Sequence, residues 1–492
     1  MSKLRFVAPF ALVACSTSLF ACGTEPEAAQ AEDDIVNIAH SSVKDQEIGN
    51  CWIYAATSWA ESLHLGYSGE ELNLSESWTT YVDFYFGILD GNITDKDGLQ
   101  TGGWFGEGQD WIARFGYFDE AVFIPGDENN EGARKQASAL AALNASIKTG
   151  VLSDPAKRRD RLVVREELDK AWGLEPSVIS AIDATFGRTL NKDFVTGGAK
   201  VPEGITGLRS PATISVGHVA AAGAQPEKEI TLADAAGKAS STWNVRSRTG
   251  AYAWNEERYP SGASARRTFL QKMQRVLHHR QPVAIVWYVD FAAMKDGVFR
   301  APPTAPGRQG GHITVLEDYQ ASNVPGYGLL PAGTQVTDPA ILEAALAPEA
   351  KIDFLRVKNS WGSGYPNLPA EEQQDLRGYH DLYLEYLDAS LATCETRDAA
   401  GKCQGLPRNG LTGLVFPSTA WEKVGPKPAP QPEPEEPGAS CAHGLCANGA
   451  KLESSCDPCA ATVCAADAYC CSTAWDGICV NEAKTMCNTV CQ

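Results

Sequence analysis

The chain has 492 residues, a hydrophobic fraction of 43% and a charged fraction of 21%, the profile of a globular protein of two or three domains rather than a disordered one. Its formal net charge of -19 would repel a phosphate backbone, which argues against a nucleic-acid partner.

Residues 1–22 read as a leader. Met1 to Arg5 is a short basic region, and Phe6 to Ala21 is small and apolar with Pro9 inside it, too short and interrupted to span a membrane. It closes on Leu19-Phe20-Ala21-Cys22, which resembles a bacterial lipobox and implies a lipid on Cys22, although Phe20 is bulky for the pattern. Leu12-Val13-Ala14-Cys15 offers an alternative site with a cramped apolar region. Such a leader places the protein outside the cytoplasm, as an outer-membrane or surface lipoprotein or as an extracellular protein. Residues 23–40 are acidic and Ala-rich and read as a tether.

The stretch from Gln46 to Ala56 follows: a polar turn, then Asn50, Cys51 and an apolar run of helical character from Trp52 to His64. Asn50 is a good N-cap. Cys51 would then lie in the first helical turn, where unpaired N–H groups and the helix dipole favour a thiolate and lower its pKa. The alternative for a lone helix cysteine is simple burial. A capped second helix is expected from Trp78 to Phe86, a turn at Gly102-Gly103-Trp104, and a short helix ending at Gly116. Residues from about 125 to 264 hold helical patterns over Asn130–Ile147 and Pro155–Trp172. The stretch is either an inserted subdomain or a set of surface excursions, and His218 within it reads as structural.

Arg267 to His279 is an amphipathic helix, and Gln281 to Tyr288 a core strand. Gly310-Gly311 precede His312 on the next strand and let another backbone or a substrate approach closely. In Asp353 to Gly362, alternation puts Leu355, Val357 and Asn359 on a buried face and Arg356 and Lys358 on the other. Gly378 to Leu384 supplies a further strand. Residues 422–440 are a Pro-rich linker, and residues 441–492 a cysteine-rich module.

Of the fifteen cysteines, ten lie between Cys441 and Cys491, the density of a disulfide-stapled module in an oxidising compartment. Cys394 and Cys403 can close a small loop. Twelve then pair, which leaves Cys51 alone in the mature chain. The tail's C-x-x-C spacing also suits zinc, but ten cysteines with only His443 nearby favour disulfides.

A thiol, an imidazole and an amide at element ends are the set for thiol acyl transfer. Together with Gln281-Pro282-Val283 and Lys358-Asn359-Ser360-Trp361-Gly362, the segment Gln46 to Ala56, Gly102-Gly103 and Gly311-His312 occur in the order found in papain-like cysteine peptidases. Over about Val43 to Leu391 the chain resembles that family, and its spacing is closest to the bleomycin-hydrolase branch. The resemblance implies an α+β fold of two lobes over residues 41–421, with a large insertion at about 125–264, and hydrolysis of peptide or protein substrates with no metal or organic cofactor. It implies Cys51 as nucleophile, His312 as base and acid, Asn359 as orienting amide and Gln46 as oxyanion donor. Trp361 would shield the Asn–His pair, and Gly102 and Gly103 would pair with an extended substrate. Gln46 stands one residue nearer the cysteine than in most of the family, and the usual preceding cysteine is absent. The tail resembles modules appended to exported myxobacterial proteins. A transpeptidase on this fold, or a surface binding lipoprotein with a relic peptidase domain, are the alternatives.

Overall fold

The computed structural model describes residues 38–94, 98–125, 132–219, 228–241, 244–333, 336, 338–364, 377–399, 401, 403–418, 423–424, 441–487 and 491. The leader with Cys15 and Cys22, nearly all of the tether and nearly all of the Pro-rich linker lie outside them.

Seven helices matter to the site: α1 (Cys51–Ser68), α2 (Glu76–Asp90), α3 (Phe105–Phe115), α4 (Gly132–Thr149), α5 (Arg161–Trp172), α6 (Pro176–Phe186) and α7 (Ala263–His278). Helix α1 is apolar on most of its circumference and is accordingly buried there, with Trp52, Ile53, Trp59, Ala60 and Leu63 at 1% exposure or less. Helix α2 starts where Ser75 accepts a hydrogen bond from the Trp78 N–H at 3.2 Å. Helices α3 and α7 begin a few residues before the apolar periodicity does, and α6, opened by Pro176, is a helix the sequence reading did not include.

Among the described residues the principal sheet has nine strands. Its main members are β1 (Trp254–Arg258), β2 (Val283–Asp290), β3 (Gln309–Val324), β4 (Lys351–Lys358), β5 (Tyr379–Tyr383) and β6 (Leu411–Pro417). They run β5-β4-β3-β2-β6-β1, each antiparallel to its neighbour. Register places Trp287 opposite His312 and Lys358 opposite Val315. The result is the expected α+β mixture.

Two cores divide it in an unexpected way. One joins α1 and α3 to both central strands β2 and β3, through Trp52, Trp59, Phe105, Val286, Ile313 and Val315. The other joins α2 to the inserted helices, through Trp78, Tyr85, Val164, Leu168, Trp172 and Phe186. The helix that carries Cys51 therefore packs with the sheet, and helices α4 to α6 complete the core of α2, while the later part of the 125–264 stretch joins the sheet-based core through Ile214, Val216, Ile230 and Trp254. Burial of each large apolar side chain contributes roughly 2 kcal/mol, so α2 depends on the insertion for much of its stabilisation.

The tail is a separate small core of Leu452, Val463, Trp475 and Val480. Five disulfides staple it: Cys441–Cys456, Cys446–Cys491, Cys459–Cys487, Cys464–Cys471 and Cys470–Cys479. Cys394–Cys403 is a sixth. Among the described residues Cys51 is the free cysteine. No helix among them is long and apolar enough to cross a membrane.

Candidate active site

Cys51 is the first residue of α1, which packs across β3. Backbone N–H groups beside its sulfur, those of Ile313 (the residue after His312), Trp52 and Cys51 itself, favour the charged form. The last two are amides of a helix start, which lack intrahelical partners. They favour the anion, as the sequence suggested, but burial outweighs them. The thiol is 9% exposed and its pKa is pushed up to about 11, so the expected lowering does not occur in the resting state.

Asn50 does not cap α1. Its side chain turns away from the helix end and donates to Thr80 Oγ1 at 2.9 Å and Gln136 Oε1 at 2.7 Å. The cap expected from sequence is thus replaced by a buried polar contact with α2 and α4.

His312 and Asn359 are brought together from β3 and from just beyond β4. Their side chains meet at 2.8 Å, His312 Nε2 to Asn359 Oδ1. The same Oδ1 accepts the Ser360 N–H at 2.8 Å, which marks it as the oxygen and makes Nε2 the protonated imidazole nitrogen. Nδ1 is left as the basic nitrogen. Burial depresses His312 to about 4, with the Asn359 hydrogen bond working against that and His380 reinforcing it. Thiol and imidazole are therefore both neutral at rest.

The Trp361 ring stacks on His312 with centroids 4.7 Å apart and planes 18° apart, and Trp287 meets the imidazole edge-on at 5.6 Å. Trp361 also packs on Phe291 and His380. It lies over the imidazole rather than along an open groove.

Gln46 is anchored to the Asn359 segment. Its backbone N–H donates to the Ser360 carbonyl at 2.8 Å, and its Oε1 accepts from Ser360 Oγ at 2.5 Å. Nε2 gives one proton to the Ile48 carbonyl at 2.8 Å. The other proton is the one an oxyanion could use.

Gly102 and Gly103 lie just before α3. Trp52 Nε1 donates to the Thr101 carbonyl at 2.9 Å and fastens this turn beside the nucleophile. A Cβ on Gly103 would stand 2.5 Å from Trp52 Cε2 and from Glu107 Oε2, so a larger residue cannot be accommodated there. A Cβ on Gly102, Gly310 or Gly311 would meet nothing within 4 Å. The backbone approach expected at Gly310-Gly311 is not made by this chain's own described residues. His218 contacts Tyr67 OH at 3.1 Å.

A buried polar layer lies beneath the site. Lys358 Nζ donates to Ser41 Oγ at 2.9 Å and to Ser58 Oγ, on α1, at 2.8 Å. Ser41 in turn donates to Glu61. Burial lowers Lys358 to about 8, against the pull of Glu61. Lys44 donates to Asn73 at 2.5 Å and pairs with Glu76 at 3.3 Å and Glu120 at 2.7 Å. Burial opposes its charge, but Glu76, Glu61 and Glu120 hold Lys44 well above its usual range. Sequence reading missed this layer and the Asn50–Gln136 contact, because their partners are up to some three hundred positions apart in the chain.

The cysteine-rich tail, over residues 439–491, matches the model of a domain of unknown function (DUF8252). No curated protein matches the chain. Among solved structures it is similar to bromelain from Ananas comosus, at 13% identity and a TM-score of 0.28 over 77% of this chain and 94% of that one. It is similar also to xylellain, a cysteine protease from Xylella fastidiosa, at 12% identity and a TM-score of 0.31 over 78% and 85%. Digestive procathepsin L 3 from Tenebrio molitor larval midgut stands at 13% and 0.27 over 78% and 67%.

Proposed function

We propose that the chain is a papain-like cysteine peptidase that hydrolyses peptide bonds through a thioester on Cys51. The observation that carries this reading is the buried His312–Asn359 pair at 2.8 Å under Trp361, one residue from the N–H that meets the free cysteine's sulfur. His312 Nδ1 takes the Cys51 proton as the sulfur bonds to the substrate carbonyl carbon and the carbonyl electrons move to oxygen. The Cys51 N–H and the second Gln46 Nε2 proton face that oxyanion. As it collapses, the C–N bond breaks, the amine leaves with the proton held by His312, and a thioester remains. Water then attacks, gives a proton to His312, and the C–S bond breaks to return the thiol and release a carboxylic acid.

Asn359 keeps the imidazole in the tautomer that leaves Nδ1 basic, and Trp361 shields that contact from water. The open backbone at Gly102, beside the tight Gly103 turn, is where an extended substrate would pair. The long interval between Cys51 and His312 supports the bleomycin-hydrolase branch, and the basic-apolar leader ending at Cys22 supports export with a lipid anchor in the outer membrane or at the cell surface. The tail, with its resemblance to myxobacterial modules, would serve attachment.

Purified wild-type protein should cleave a mixed peptide library under reducing conditions and be labelled by an epoxide-type thiol inhibitor. Cys51→Ala should abolish both. Wild-type protein that neither cleaves nor labels would sink the reading.

A further inference from the structure

Asn50 is a residue type that ordinarily caps a helix, and it stands at the cap position of α1 without capping it. An N-cap side-chain oxygen accepts from the second or third N–H of the helix. Here the second is that of Trp52, one of the amides that face the Cys51 sulfur. A capping Asn50 would compete with the sulfur for that hydrogen.

What prevents it is a set of contacts made outside α1. Asn50 Nδ2 is shared between Thr80 Oγ1 on α2 and Gln136 Oε1 on α4. Gln136 is itself fixed by its Nε2, which donates to Tyr54 OH at 3.1 Å and Ser77 Oγ at 3.2 Å. Thr80 Oγ1 donates in turn to the Glu76 carbonyl at 2.8 Å. All six residues are at 4% exposure or less. Asn50 Oδ1 is buried with no hydrogen-bond partner among the described residues. An unpaired buried carbonyl is costly, and the partner a capping Asn50 would take is the Trp52 N–H that otherwise faces the sulfur. The arrangement is held against that gain.

We propose that Gln136, in the inserted helical subdomain, is a positioning residue that keeps Asn50 turned away from α1, so that the first-turn N–H groups stay available to Cys51 and to the anion formed from it. The insertion then acts on the nucleophile through one hydrogen bond. This rests on Cys51 as nucleophile but not on peptide cleavage.

The test is alkylation of Cys51 by iodoacetamide at neutral pH, read by mass mapping of the full mature chain. Gln136→Leu should slow it about fivefold, the loss of one first-turn amide from the thiolate. Mere loosening of the packing would expose the thiol and speed the reaction, so the direction separates the two. Adding Asn50→Ala, which removes the competing oxygen, should return the rate to within about twofold of wild type. Thr80→Val should slow alkylation in the same direction, and it carries the test if Gln136→Leu does not fold. An unchanged or faster rate in Gln136→Leu, a double variant as slow as the single, or, where Gln136→Leu does not fold, an unchanged or faster Thr80→Val would overturn the inference. Failure of the wild type to cleave peptides would overturn the peptidase reading alone, since alkylation needs no substrate.

Discussion

His312 is the residue on which resting state and chemistry meet. Burial holds its imidazole at about 4, below the ordinary value of 6.5. The unfolded chain therefore binds the proton in a pH window where the folded one does not. Stability rises with pH across that window and is lost as pH falls from about 6.5 towards 4. The shift corresponds to about 3 kcal/mol. Urea unfolding at several pH values should show that loss in wild type, with a total change across the window smaller by about 3 kcal/mol in His312→Gln. The acid limb of kcat/KM should lie near 4 for the same reason, because Nδ1 must be unprotonated to accept from the thiol. A limb near 6.5 would contradict the burial argument. Cys51, His312, Asn359 and Trp361 were legible in the sequence because each sits in a short motif whose local chemistry is unusual. The resting protonation states were not, because they depend on how deeply α1 and β3 bury the pair. Asn50 was misread for a related reason: cap propensity is local, and the contacts that override it come from α2 and α4.

At the scale of elements, strand β4 shows the limit of alternation. Arg356 and Lys358 fall on the face opposite Leu355 and Val357, yet they too are buried, at 8% and 4% exposure. Arg356 is paired with Asp381 on β5 at 2.8 Å, and Lys358 is held by Ser41 and by Ser58 of α1. Both faces of β4 are covered, one set of side chains being apolar and the other compensated charge. Lys358 thus ties the strand that ends just before Asn359 to the helix that begins at Cys51. Lys358→Ala leaves Ser41, Ser58 and Glu61 facing one another without the cation, and should cost about 3 kcal/mol. Guanidinium unfolding would measure it, and a loss below about 1 kcal/mol would show that the layer is no clamp. The existence of nearly every long helix and of the central strands followed from periodicity. The helix Pro176–Phe186 did not, since its Ala, Ser and Thr content hides a narrow apolar stripe of Val178, Ile182 and Phe186.

At the scale of the whole molecule, the chain has a sheet-based core that includes α1, a helical core that α4 to α6 complete, and a stapled tail. Cysteine arithmetic anticipated the separation of Cys51 from the twelve paired cysteines, because compartment and spacing constrain pairing without any tertiary detail. It could not anticipate that the insertion shares a core with α2, which is decided by side chains far apart in sequence. The central claim is that this assembly presents Cys51 for acyl transfer. Its most direct test is the intact mass of mature wild-type protein, acid-quenched during reaction with a peptide ester. The account predicts an added acyl mass that maps to Cys51, is released by hydroxylamine as a thioester should be, and is missing from Cys51→Ala. No acyl adduct, or one mapped to another residue and retained in Cys51→Ala, would contradict it.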